Sequence, residues 1–207
     1  MTRIFSFLVF LTLLAPAAAW AQSPLYLNAA IYVIRDMTEA VPPPVVCQGD
    51  NNAFSRKAED LITTRIDGER AQFAPGAPPL QPDADLIRIA QQRSCDMAHG
   101  AAFSHIDAQG HFIAADMVRQ IFGPYGAVGE NIAQMGNSME LIGVRPFGPE
   151  EFARAAVDAW MDSPEHRANI LNLRFDASGI GVVKVDGEAV ATQIFHGPPP
   201  KQDDGKP

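Results

Sequence analysis

The sequence predicts an α+β fold, with helices packed on a small, mainly antiparallel sheet. Apolar residues recur at helical spacing in several segments between Asn52 and Asp162. After Pro164 the period changes, and Gly179 to Val185 and Glu188 to Phe195 are β-rich runs. Asp186-Gly187 joins those runs, a residue pair that two-residue hairpin turns favour. Helices followed by a terminal hairpin bury their apolar faces against one sheet.

The chain begins with an export address rather than with the fold. Arg3, an apolar run from Ile4 to Ala15, Pro16 and small residues ending Ala19-Trp20-Ala21 form a secretory signal peptide over residues 1–21. The run is shorter than the roughly 20 residues that span a bilayer. Cleavage after Ala21 is expected to leave 186 residues with net charge −9, since Arg3 is the only charged residue removed. Residues 22–50 form an amino-terminal extension. Its apolar stretch, Leu25 to Ile34, is assigned by pattern to neither strand nor helix, and Pro42-Pro43-Pro44 forbids a continuing helix.

The domain itself is expected over residues 51–197. Phe54, Ala58, Leu61, Ile62 and Arg65 repeat at three- and four-residue intervals, giving a first helix from Asn52 to about Arg70, with Asn51 or Asn52 placed to cap it. Ala74-Pro75-Gly76-Ala77-Pro78-Pro79 breaks that helix. Asp83 opens a second, running to about His99, with Leu86, Ile89, Ala90 and Met97 as its stripe. A third covers Ala114 to Phe122 and stops at Gly123-Pro124, and a fourth covers Pro149 to Asp162 with Phe152, Ala156, Val157 and Trp160 on one face. Pro198-Pro199-Pro200 and the polar residues behind it have nothing to bury, so 198–207 read as a disordered tail.

With 47% hydrophobic and 19% charged residues, the 207-residue chain is neither disordered, collagenous nor polytopic. Its net charge of −8 leaves no basic footprint for nucleic acid or an anionic membrane, and no integral span is expected once the signal is removed. Cys47 and Cys95 are expected to form a disulfide in the oxidising compartment that an export signal implies. Their separation of 48 residues corresponds to about 4 kcal/mol in the loop-entropy model. Two buried free thiols are the alternative. Neither cysteine has a CxxC partner, which excludes zinc-finger and thioredoxin-like chemistry.

Three clusters carry the functional signal: Phe103-Ser104-His105-Ile106-Asp107, Gly129-Glu130-Asn131-Ile132-Ala133, and the run from Trp160 to Leu171 that contains Ser163-Pro164-Glu165-His166-Arg167-Ala168-Asn169. With Ser94 to Ala98, Gly179-Ile180-Gly181-Val182 and Thr192-Gln193-Ile194-Phe195, they fall in one order over about Ala58 to Phe195. In this the chain resembles the CAP superfamily, which takes in cysteine-rich secretory proteins, insect venom antigens, plant pathogenesis-related proteins and many secreted bacterial members. It is most similar to the bacterial branch. The resemblance implies an α-β-α sandwich and a cleft lined by His105, Glu130 and His166, with Asn131, Ser163 and Asn169 in support. Many animal and plant members add a second glutamate three residues after the conserved tryptophan, where this chain has Ser163 after Trp160. Asp162 is no automatic substitute, because neighbouring helical residues point about 100° apart.

Two imidazoles and one carboxylate are a recognised Zn²⁺ ligand set with a position open to water. His105, His166 and Glu130 are therefore candidate metal ligands, and zinc or another divalent ion the candidate cofactor. The missing glutamate removes the obvious general base, and no catalytic residue is assigned. Three readings stay open. One is a non-enzymatic binding protein of the cell envelope, secreted or periplasmic, whose partner is a lipid, a metal ion or an envelope protein. Another is a metal-dependent hydrolase using the same cleft. The last is a purely structural envelope protein in which the cleft is vestigial, the trio forms a satisfied hydrogen-bond network and the extension from Gln22 to Asp50 makes the functional contact. His99, His111 and His196 fit no motif and are expected on the surface or in loops, while Gly179 and Gly181 are expected to allow close packing of the first hairpin strand.

Overall fold

The computed structural model describes residues 25–33, 53–124, 126–136 and 147–198. The expected signal peptide, the Pro42 to Pro44 run, Cys47, the caps Asn51 and Asn52, and the tail from residue 199 lie outside the described residues.

Among the described residues, five strands form one sheet in the order β1-β3-β5-β4-β2: β1 (Leu25–Val33), β2 (Gln81–Pro82), β3 (Ala127–Met135), β4 (Ala177–Val185) and β5 (Glu188–Gly197). All pairings are antiparallel except that of β2, which meets β4 in parallel over two residues. Helices α1 (Ala53–Phe73), α4 (Pro149–Asp162) and α5 (Pro164–Ile170) pack on one face, and α2 (Ala84–Ala98) and α3 (Ile113–Phe122) on the other. This is the α-β-α sandwich that the resemblance implies. Side chains of the central strands alternate between the layers: Ala127, Ala133 and Phe195 join the α1/α4/α5 core, Val128 and Ile194 the α2/α3 core.

Local chemistry sets the boundaries. Asp83 caps α2, its Oδ1 accepting the amides of Asp85 at 2.9 Å and Leu86 at 3.0 Å, a device worth about 1 kcal/mol. Asp186 (φ 48°) and Gly187 (φ 81°) are both left-handed, as the tight β4–β5 hairpin requires. Gly179 and Gly181 bring α2 directly onto β4: a Cβ on Gly181 would lie 2.2 Å from the Gln91 backbone nitrogen, and one on Gly179 2.1 Å from the Leu86 carbonyl carbon.

The structure also departs from the sequence reading. β3 covers the Gly129 to Ala133 cluster, and α5 is a separate seven-residue helix begun by Pro164. The stretch from Leu25 is a strand, nine of whose residues pair with β3. The buried face of α1 is Ser55, Ala58, Ile62, Ile66 and Arg70, whereas Arg65 is partly exposed and pairs with Asp158 at 2.6 Å. His196 is in no loop: β5 runs on past Phe195 because it still has partners in Ala177 and Val128, and the imidazole stacks on Phe122. Among the described residues no cysteine is a free thiol, and Cys95, buried on α2, is disulfide-bonded.

Glu59 ties three elements together. Its Oε1 accepts the Val182 amide at 2.9 Å and the side-chain amide of Gln91, joining α1, β4 and α2. Burial pushes its carboxyl from 4.5 up to about 7, a rise that Asp60 reinforces and that Arg56 and the two hydrogen bonds oppose. Because the folded value is raised, the stability that the neutral form contributes is complete below about 4.5 and is lost as pH climbs through about 7. Denaturant unfolding across that window is expected to show wild type losing stability relative to Glu59→Gln. A difference between the two that does not vary with pH would contradict this.

Candidate functional site

Glu130 sits mid-strand in β3 with its carboxylate completely buried on the α2/α3 side of the sheet. An isolated ionised carboxylate there would carry a desolvation penalty of several kcal/mol. Two donors offset it. Arg93 of α2 donates through Nε to Oε1 at 2.8 Å, and His105 donates through Nδ1 to Oε2 at 2.5 Å. The same guanidinium donates through Nη2 to the Ser104 carbonyl at 2.6 Å, which fixes the loop that carries His105. The His105 carbonyl in turn accepts the Ile113 amide at 3.0 Å, anchoring the start of α3.

Burial alone would raise the Glu130 pKa, but the Arg93 charge and the His105 hydrogen bond outweigh it and hold the carboxyl below its usual range. An ionised carboxylate only accepts, so Nδ1 of His105 carries the proton of that hydrogen bond. The Nε2 of the same ring is buried and has no hydrogen-bond partner among the described residues.

His166 belongs to a different cluster. Successive strand residues face opposite sides, so Asn131 points into the α1/α4/α5 layer, where its Nδ2 donates to the His166 carbonyl at 3.2 Å. Asn169 Nδ2 donates to Asn131 Oδ1 at 2.8 Å and reaches the Glu130 carbonyl at 3.2 Å. His166 Nδ1 shares a 2.6 Å hydrogen bond with Ser163 Oγ, and the Trp160 indole donates to the Ile132 carbonyl at 3.1 Å. Of the expected supports, Asn131 and Asn169 thus join α5 to β3, while Ser163 bonds His166 across the first turn of α5.

Of the expected trio, the structure brings His105 and Glu130 into direct contact and does not bring His166 into a ligand set with them. Among the described residues no three His, Cys, Asp or Glu side chains are grouped to hold a metal ion. Glu130 is engaged through both oxygens by Arg93 and His105, and His105, with Nδ1 on that carboxylate, keeps Nε2 as the ring nitrogen that a metal ion would take.

Arg93 is the site residue that the sequence reading missed. It lies seven residues after Leu86 and four after Ile89, on the apolar stripe of α2, where a cation needs a buried anion. Arg70 occupies the same kind of position on α1, and its guanidinium donates to the carbonyls of Ile170, Pro78 and Phe175.

Glu130→Gln would leave Arg93 buried without a counter-charge, and is expected to cost about 3–5 kcal/mol in denaturant unfolding. Since the folded pKa of Glu130 is depressed, its stabilisation is present above about 4.5 and disappears as pH falls through the lower folded value, so the variant should lose that acid-side slope. A cost below about 1 kcal/mol with the slope retained would contradict the assignment.

The model of the cysteine-rich secretory protein family, CAP, matches residues 65–195. An uncharacterized protein of Bacillus subtilis (strain 168), YkwD, is 34% identical over 167 residues, which is 78% of this chain and 58% of that protein. The chain therefore spans just over half the length of that relative. An outer surface protein of Borrelia burgdorferi has the same fold, with a TM-score of 0.55 at 16% identity over 69% of this chain and 94% of its own. An extracellular SCP-domain protein of Bacillus anthracis matches with a TM-score of 0.50 at 23% identity, over 74% of this chain and 44% of its own. The family match takes in His105, Glu130 and His166, and on that match the chain belongs to the cysteine-rich secretory protein (CAP) family.

Proposed function

We propose that this chain is an exported, non-enzymatic binding protein of the bacterial cell envelope. The state of Glu130 supports this most strongly: a fully buried carboxylate with both oxygens engaged is poorly placed to activate water. Ser163, bonded to His166, stands where a second carboxylate would be needed. The network offers His105 Nε2 instead, a buried polar atom with no partner among the described residues, which a hydrogen-bonding group of a bound molecule would satisfy. A lipid headgroup or an envelope protein side chain can supply such a group. Export agrees with the sequence of residues 1–21 and with the extracellular and outer-surface character of the two similar solved proteins. Among the described residues no helix is long and apolar enough to cross a membrane.

Zinc calorimetry on the mature protein, at a pH where imidazole is mostly neutral, separates this reading from a metal-dependent hydrolase. The expected result is no tight Zn²⁺ binding, with His105→Ala and His166→Ala each lowering stability by about 1–3 kcal/mol. Tight binding that both variants abolish would overturn the reading. Export also implies oxidation: thiol titration of the denatured, unreduced protein is expected to find none, and reduction to lower stability by up to about 4 kcal/mol. Two titratable thiols would refute the Cys47 to Cys95 bond.

A further inference from the structure

We propose a second site, independent of the Glu130 network, in the pocket between α1 and the outer edge of β4, and that it takes a small primary amine carrying a short hydrocarbon chain. The cavity measures about 470 Å³, within the range of small-molecule sites. It lies on the other face of the sheet from the Glu130 carboxylate. Gln193 pairs across the strands with Asn131 and Ile180, so its side chain shares the α1 side with them.

Gln193 is the key to the ligand chemistry. It is completely buried yet lines this pocket, and its Nε2 donates to Ser178 Oγ at 3.2 Å. Its Oε1 has no hydrogen-bond partner among the described residues. A buried acceptor on a residue that lines a cavity calls for a donor from whatever fills it.

The sign of the ligand's charge follows from the rest of the wall. Glu59, Asp60 and Asp67 line the pocket, and among the described residues no Lys, Arg or His does. Burial raises the carboxyl pKa of both Glu59 and Asp67, outweighing the opposing pull of Arg56 on the first and Arg70 on the second. Ile66, Leu80 and Ile180 supply apolar surface beside them. An ammonium group gives Gln193 Oε1 its donor and the carboxylates a counter-charge within the pocket, while its alkyl chain covers the apolar wall. An alcohol supplies only the first of these, and a carboxylate is repelled.

The strand edge adds further hydrogen-bonding capacity. The Ser178 carbonyl accepts Asp83 N–H, and Val182 N–H donates to Glu59, both on the outer side of β4. Ladder groups point outward at alternate residues, so the Ile180 peptide between them faces the same edge.

The test is calorimetry of the mature protein at low salt with n-hexylamine, n-hexanol and hexanoate. Hexylamine is expected to saturate a single site, hexanol to bind at least tenfold more weakly and hexanoate not at all. Gln193→Leu removes the acceptor, and the double variant Asp60→Asn/Asp67→Asn removes two exposed charges. Each should weaken hexylamine at least fivefold. If Gln193→Leu fails to fold, as circular dichroism would reveal, the Asn variant decides alone, since both of its substitutions are at exposed residues of α1. Absence of hexylamine binding, equal binding of amine and alcohol, or unchanged affinity in the variants would each overturn the proposal.

Discussion

The negative charge of Glu130 has to be neutralised where it stands, because β3 is paired on both edges and the carboxylate has no exposed surface. Water cannot solvate it, so the protein must supply donors from other elements. Arg93 reaches it from α2 and His105 from the loop before α3, and Arg93 also holds the Ser104 carbonyl in that loop. One buried charge thereby specifies how the α2/α3 layer, the loop and the sheet meet. The proton on His105 Nδ1 follows from the same constraint.

The opposite face is joined by a different chemistry. Neutral amides and an indole, Asn131, Asn169 and Trp160, connect α4 and α5 to β3 through hydrogen bonds between uncharged groups. His166 belongs to this neutral lattice through its backbone carbonyl and its bond to Ser163. Family motif residues that adjoin in sequence therefore serve separate structural tasks. The carboxylate-rich pocket along β4 is different again, since an unpartnered amide oxygen remains there beside carboxylates with no cation on the pocket wall among the described residues.

Much of the fold was legible because its signals are local. The α2 and α4 boundaries follow from Asp83, Pro149 and the Ser163-Pro164 break, and the hairpin from Asp186-Gly187. β3 was harder to see: a strand buried on both faces shows no apolar alternation, and here it carries Gly129, Glu130 and Asn131 at its centre. Missing that strand hid the geometry of the site. Once Gly129 to Ala133 is extended, period two sends Glu130 and Asn131 to opposite faces, and the expected meeting of Glu130 with both histidines no longer follows. Arg93 escaped notice because the α2 stripe is defined by its apolar residues, Leu86, Ile89, Ala90 and Met97, although its place on that stripe marks a buried cation.

A double-mutant cycle on Arg93 and Glu130, using Arg93→Met and Glu130→Leu with stability read by denaturant unfolding, tests the central claim most directly. If the buried charge of Glu130 organises this face, each single variant strands an uncompensated partner and the double variant relieves it, giving a coupling of about 2 kcal/mol or more. Costs that add to within about 0.5 kcal/mol would mean that the two residues act independently, and the account of the site would fail.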